Sequence, residues 1–320
     1  MKKIKFCDLC GNKNFQFLHN AKDRMFNIKG QYSLWKCAAC GLIFINPQPS
    51  IKEISKHYPN YYYSFEGKPP SKLKLFFYKI YSSKGNSFLK LFFSPIKPVI
   101  ATSLKVIPHG KLLDVGCGSG SFLVLAKSLG MSCYGIEPGV FDVKFAKNHN
   151  LNIFHGSLEQ AKFSSNYFDC ITLNHVFEHM NSPMKSLKEL FRIIKPGGSV
   201  IIGVPQSRSL AYLLFGKYWV QLDVPRHLFT FSVKTLKDYS KRTGFVLSKV
   251  RFNSTPFQFL GSLLYLVNIF KKREVYLSDK SFISNKFLFL TFLPLAYLCN
   301  ILRIGDQVEV ILTKPEKNCQ

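Results

Sequence analysis

An α/β fold built on a parallel, doubly wound sheet is what this sequence predicts, and three observations predict it. The first is Leu112–Leu123, LLDVGCGSGSFL, where an apolar run ends at Asp114, glycines follow at 116, 118 and 120, and an apolar helical pattern starts at Phe122. That order reads as a buried strand, a tight turn and a helix. Glycine lets the backbone take positive φ and lets a ligand approach main-chain N–H groups, and a helix N-terminus adds unpaired donors and partial positive charge. The second is Cys133–Pro138, CYGIEP, a short strand ending in Glu137. An acid about 20 residues beyond a glycine turn is placed to accept hydrogen bonds from ribose hydroxyls. The third is the continuation of the alternation. Tyr167–Met180 (YFDCITLNHVFEHM) gives a strand and then a polar-aromatic run, and Ile193–Val204 (IIKPGGSVIIGV) gives a helix end, a Pro-Gly-Gly turn and a strand.

In this order the four stretches resemble the motifs of the class I S-adenosylmethionine-dependent methyltransferases, over roughly residues 105–250. The resemblance implies a seven-stranded Rossmann-like sheet with strand seven antiparallel, and S-adenosylmethionine as cofactor. It implies that the turn Gly116, Cys117, Gly118 and Gly120 lies beside the methionine part of the cofactor. Asp114 would sit near its ammonium end, and Asn174 and the loop after it would face the sulfonium and the substrate. Ser157 and Leu158 fall in the adenine-side loop. Ser157 stands where that family usually has Asp, so adenine recognition there would rest on backbone groups. Cys117 reads as a small filler and Asp169, which starts a strand, as structural.

Composition sets the frame. The chain has 320 residues, 47% of them hydrophobic, enough for a buried core. The N-terminus MKKIKFCDLC has no apolar stretch of secretory length. Nine cysteines are an odd number, and four form two C-x-x-C-G knuckles: Cys7 with Cys10, and Cys37 with Cys40. That pattern favours a reducing compartment and a closed, structural zinc site on four thiolates over a disulfide framework. His19 is a further candidate ligand, read as a surface residue. Residues 1–46 are thus expected to be a zinc ribbon, a unit too small to fold on an apolar core alone. The net charge of +26 points to an anionic partner or simply to a lysine-rich composition.

Residues 47–104 are expected to be a linker and basic amphipathic helices. Gly41–Tyr63 resembles the linker of a bacterial methyltransferase subgroup that carries an N-terminal zinc ribbon and serves surface sugar and polysaccharide pathways. Residues 67–113 hold nine lysines and no acid, interleaved with aromatics. Such helices either lie on an anionic membrane or pack an aromatic face on the core. The resemblance implies that residues 206–232, with Tyr218, Trp219, Asp223, Arg226 and His227, lie next to the substrate. The run PRHLFTFS and the helix and strand after it resemble zinc-ribbon relatives and quinone-biosynthetic O-methyltransferases. In the last part of the expected methyltransferase domain (105–320), residues 253–305 form a helical insertion between strand six (Phe245–Phe252) and strand seven (Gln307–Thr313). Its apolar runs, Phe257–Phe270 and Phe287–Leu302, are shorter than a membrane span, the second broken by Pro294. They read as a hairpin half-sunk in one leaflet with Lys271, Lys272 and Arg273 at the headgroups, as a cap over the cleft, or as a dimer surface.

A sulfonium is already electrophilic, so the protein must align a nucleophile and take its proton. His227, His179 and His175 are the candidates. Arg226 is a candidate anchor for an acidic substrate group or part of a surface ion pair. The reading that follows is methylation of a sugar or lipid-linked small molecule in envelope polysaccharide biosynthesis, in the cytoplasm and peripheral on the inner membrane. Rival readings are O-methylation of a quinone precursor, RNA methylation, and a non-catalytic membrane-associated scaffold.

Overall fold

The computed structural model describes residues 1–59, 66–82, 85, 87–93, 104–270 and 285–316. Lys271, Lys272, Arg273 and Tyr61–Tyr63 lie outside them.

Both knuckles close by the same hydrogen bonds. Gly11 N–H donates to Cys7 O and Gly41 N–H to Cys37 O, each at 2.9 Å, and each glycine is left-handed. Between and beyond the knuckles run β1 (Phe15–Ala21), β2 (Tyr32–Cys37) and β3 (Ile43–Ile45), an antiparallel ribbon. After the short α1 (Ile51–Ser55), α2 (Lys72–Ser82) buries Phe77, Tyr78 and Ile80, while α3 (Ser87–Phe92) leaves Phe88 and Phe92 exposed. The face of α2 carrying Tyr78 packs on Leu125.

Next come β4 (Lys111–Val115), α4 (Ser121–Ser128), β5 (Ser132–Glu137), α5 (Val143–Asn148), β6 (Asn152–His155), β7 (Phe168–Asn174), α6 (Pro183–Ile193) and β8 (Ile194–Pro205). The central strands β4, β7 and β8 are buried nearly throughout because helices cover both faces of a parallel sheet, while the edge strand β6 stays partly exposed. Then follow α7 (Leu210–Phe215), β9 (Phe229–Thr230), α8 (Val233–Arg242), β10 (Val246–Phe252), α9 (Phe257–Phe270), α10 (Lys286–Ile301) and β11 (Gln307–Thr313). The large sheet has seven strands in the order β10-β11-β8-β7-β4-β5-β6, with β11 antiparallel to both neighbours. Strand order reverses at β4, which pairs with β5 on one side and β7 on the other. In such sheets ligands bind outside the carboxyl ends of the strands at that reversal.

Two local features differ from expectation, and a third was not foreseen. Pro196-Gly197-Gly198 is not a turn ahead of the strand. It is an irregularity inside β8, because Ile194 already pairs with Phe168 before it and Ser199 with Cys170 after it. Pro294 does not break α10, which runs through it. Losing one N–H is offset there by packing of Phe292 on Phe259 and burial of Ala296 and Cys299. The unforeseen one is β9, which pairs with the ribbon and not with the large sheet, Ile43 lying opposite Thr230.

The ribbon is also tied down by Asp8. Its carboxylate accepts from Ser182 Oγ, from Met184 N–H in the first turn of α6, and from Tyr239 Oη, at 2.7, 2.9 and 2.8 Å. An acid at a helix N-terminus complements the unpaired donors there. The four Sγ atoms of Cys7, Cys10, Cys37 and Cys40 lie within 4.8 Å of one another, the Cys7–Cys40 and Cys10–Cys37 pairs at 3.5 and 3.6 Å. Thiolates around tetrahedral zinc sit about 3.8 Å apart, so this donor set fits the metal. Purified chain is expected to carry about one zinc. Stripping the metal with a strong chelator is expected to lower the melting temperature of the whole chain, because β9 and Asp8 couple the ribbon to the large sheet. Zinc analysis with a thermal melt before and after chelation checks this.

Candidate active site

The turn after β4 requires glycine at two positions for different neighbours. A Cβ at Gly116 would stand 2.4 Å from Val176 Cγ2, and one at Gly120 would stand 2.4 Å from Leu151 Cδ1, both at positive φ. Gly116 and Cys117 N–H groups both donate to Ile136 O, which fastens the turn to the end of β5. Glu137 points at the turn. Its Oε2 accepts from Gly118 N–H at 2.8 Å and its Oε1 from Gly139 N–H at 2.7 Å. Each oxygen keeps acceptor capacity for a hydroxyl. Asp114 is buried beside it and accepts from Thr172 Oγ1 at 2.6 Å. Burial pushes its carboxyl up to about 7. Cys117 fills space against Gly135, and burial holds its thiol well up, so it is inert packing. Ser157 and Gln160 cap each other reciprocally, and Leu158 is buried beneath that loop. Asn174 ends β7, paired with Gly203. Lys68 N–H donates to Ser121 Oγ at 3.0 Å, so the segment before α2 crosses the start of α4.

Val176, the residue against Gly116, opens the segment that carries the candidate histidines. Phe177–His179 is a single 3₁₀ turn, so His175 and His179 do not share a helical face. His175 takes positive φ, and the Gln307 amide donates to its Nε2. His179 and His227 come together edge to face, ring centres 4.7 Å apart. Each has Nδ1 on a carbonyl, Arg226 O at 2.9 Å and Gln221 O at 2.8 Å. A carbonyl only accepts, so in the neutral form of either ring Nδ1 carries the proton and Nε2 keeps a lone pair. Among them lies Glu178, fully buried, with no hydrogen-bond partner on either carboxylate oxygen among the described residues. Its Oε1 is 3.3 Å from His175 Nδ1 and 3.8 Å from His227 Nε2. Burial alone would raise the Glu178 carboxyl, but His175, His227 and His179 together hold it below its ordinary value. Burial and His227 push the His179 imidazole down to about 4, while Glu178 outweighs burial and raises His175. Donor atoms of Glu178, His179 and His227 all lie within 4.8 Å of one another, a set that could also hold a cation.

A family described as a methyltransferase domain matches residues 88–250, just over half of the sequence. The chain belongs to that family. Its fold is that of the class I S-adenosylmethionine-dependent methyltransferases. Among curated relatives, the rat mitochondrial ubiquinone biosynthesis O-methyltransferase is 31% identical over 114 residues, 32% of this chain and 33% of that protein. The malonyl-[acyl-carrier protein] O-methyltransferase of Serratia marcescens is 29% identical over 126 residues, 39% of this chain and 49% of that protein. The chain thus spans about a third to a half of the length of these relatives. A solved geranyl diphosphate C-methyltransferase from Streptomyces coelicolor A3(2) overlays with a TM-score of 0.49 and 14% identity, covering 83% of this chain and 99% of that one.

Arg226 is neither a substrate anchor nor a surface ion pair. It is fully buried. Its Nε and Nη2 donate to Asp223, its Nη1 and Nη2 to Asp23, and its Nη1 also to His57 O. All five guanidinium N–H groups are thereby used. Asp23 also accepts from His57 Nδ1, and Tyr32 Oη meets His57 Nε2. This network ties the ribbon to the loop that carries His227. Sequence reasoning missed Asp23, His57 and Glu178. Only Glu178 left a signal, as an acid beside His179 in the polar-aromatic run after β7.

Asp114 makes a pH prediction. In the free protein its folded pKa is raised, so the neutral form favours the fold. That stability is complete below its unfolded value and is lost as pH rises through about 7. A cationic donor beside Asp114 needs the ionised form. S-adenosylmethionine affinity is therefore expected to fall on going from about pH 8 to about pH 6, by up to about tenfold per unit below the pKa. Asp114→Asn is expected to bind more weakly and without that pH dependence, as titration calorimetry would read.

Proposed function

We propose that this chain methylates a sugar or lipid-linked small molecule of bacterial envelope polysaccharide biosynthesis. When bound, S-adenosylmethionine supplies a methyl group on a positively charged sulfur. Glu137 and the glycine turn hold its ribose and methionine parts, Asp114 its ammonium, and the Ser157–Leu158 loop its adenine side. The observation that carries the reading is the Glu178–His179–His227 cluster next to Val176, the residue seated on Gly116. His227 Nε2 receives the acceptor's proton, and Glu178 offsets the imidazolium charge that results. His179, held neutral, orients the acceptor. The two knuckles and the resemblance of Gly41–Tyr63 to the zinc-ribbon subgroup support the envelope sugar class.

O-Methylation of a quinone precursor is the second reading, favoured by the ubiquinone-pathway relatives. Incubating purified chain with labelled S-adenosylmethionine and each acceptor class, followed by mass analysis, separates them. A methylated sugar or lipid-linked product is expected. Methylation of a phenolic quinone precursor alone would replace the first reading with the second, and methylated RNA alone would overturn both.

A further inference from the structure

Helix α10 is apolar on its solvent side. Phe287, Leu290, Leu295, Leu298 and Ile301 are exposed at helical spacing, Phe287 by 76%, together with Thr291 and Pro294. The opposite side carries Phe292, Ala296 and Cys299 into the core. An amphipathic surface helix normally turns charge to solvent; this one has its charges only at the ends, on Lys286 and Arg303. α9 rests on α10 and on α7, and α7 exposes Leu213 by 80% and Leu214 by 62%. Neither α9 nor α10 contains an acid. At 16 residues α10 is about 24 Å long, and among the described residues no helix is long and apolar enough to cross a membrane.

We infer that the α7–α10 face is the seat of an anionic lipid bilayer, with α10 lying in the plane of the interface. Lysine and arginine at the ends of an apolar helix suit acyl chains beneath and anionic headgroups around. Charge decides between this occupant and a second copy, since two chains of +26 repel. The face is coupled to the acceptor side. Val220 N–H donates to Ser262 Oγ of α9 at 3.0 Å, and a Cβ at Gly261 would stand 2.6 Å from Val220 Cγ2. The loop ending in His227 is therefore built on the membrane-facing helices. Resting on the proposed function, this narrows the acceptor to a polar group carried on a hydrocarbon tail and taken from the bilayer.

The test is flotation of the full chain with vesicles of phosphatidylcholine alone and with roughly one-third phosphatidylglycerol. Flotation with the anionic vesicles is expected. Leu290→Gln combined with Leu298→Gln is expected to weaken it by roughly tenfold or more, while S-adenosylmethionine binding, measured by calorimetry, stays intact and reports a folded chain. Lys286→Gln with Arg303→Gln is expected to weaken it only on anionic vesicles. Absence of flotation overturns the inference, as does flotation indifferent to the leucine variants. So does a dimer, seen by light scattering, that those variants dissociate. Because flotation needs no turnover, failure here leaves methyl transfer to a soluble acceptor standing, and flotation without transfer does the reverse.

Discussion

Arg226→Met is expected to cost about 3–5 kcal/mol of folding stability, the range for breaking a buried ion pair by removing one partner. Asp23, fully buried, and Asp223, nearly so, lose their counter-charge, and His57 O loses a donor. The effect is larger than that of a surface pair, which contributes at most about 1 kcal/mol. Arg226→Lys keeps the charge but has three donors for five acceptor positions, so an intermediate loss is expected. Asp223 is held below its ordinary value, against its own burial, by Arg226. Its contribution is present above the unfolded carboxylate pKa and is lost as pH falls through the lower folded value. Denaturant melts of the three proteins at neutral pH and at acid pH measure all of this. An Arg226→Met melt like the native one would remove the network from the account.

His227→Ala is expected to lower kcat by about 10²–10⁴, the range for losing a positioned general base, while cofactor binding is kept. Glu178→Gln is nearly the same shape without the charge. Its expected loss is smaller, and the acid limb of the pH–rate profile moves to lower pH, because an imidazolium formed beside it loses its counter-charge. That displacement separates a role in catalysis from a role in folding, which would change the amount of active protein and leave the profile in place. His179→Ala is expected to raise KM more than it lowers kcat, since a ring held neutral to about pH 4 orients rather than carries charge.

The sheet was legible because its signals are local. A glycine turn, an acid at the end of the next strand, and apolar runs of strand length each sit within a dozen residues, and strand seven falls on Gln307–Thr313 as its pattern indicates. The knuckles were legible for the same reason. What could not be read depends on distant partners. Asp23 and Arg226 are 203 positions apart, so nothing near PRH indicates that the guanidinium is buried rather than offered to substrate. β9 is two residues long, too short for a periodic pattern, and its partner strand lies in the ribbon. The three histidines were visible as candidates. Their sorting was not, because it depends on the 3₁₀ turn that sends His175 toward Gln307 and brings His179 against His227.

The central claim is that the bend from Asp114 to Gly120 holds a charged sulfur donor between two carboxylates. Titrating S-adenosylmethionine into the full chain, its Glu137→Gln variant and its Asp114→Asn variant tests it most directly. A saturable heat for the native chain is predicted, with affinity reduced roughly tenfold or more in each variant, in keeping with the loss of a charge-assisted hydrogen bond or ion pair. No heat from the folded native chain, or equal affinities in all three proteins, would contradict the account.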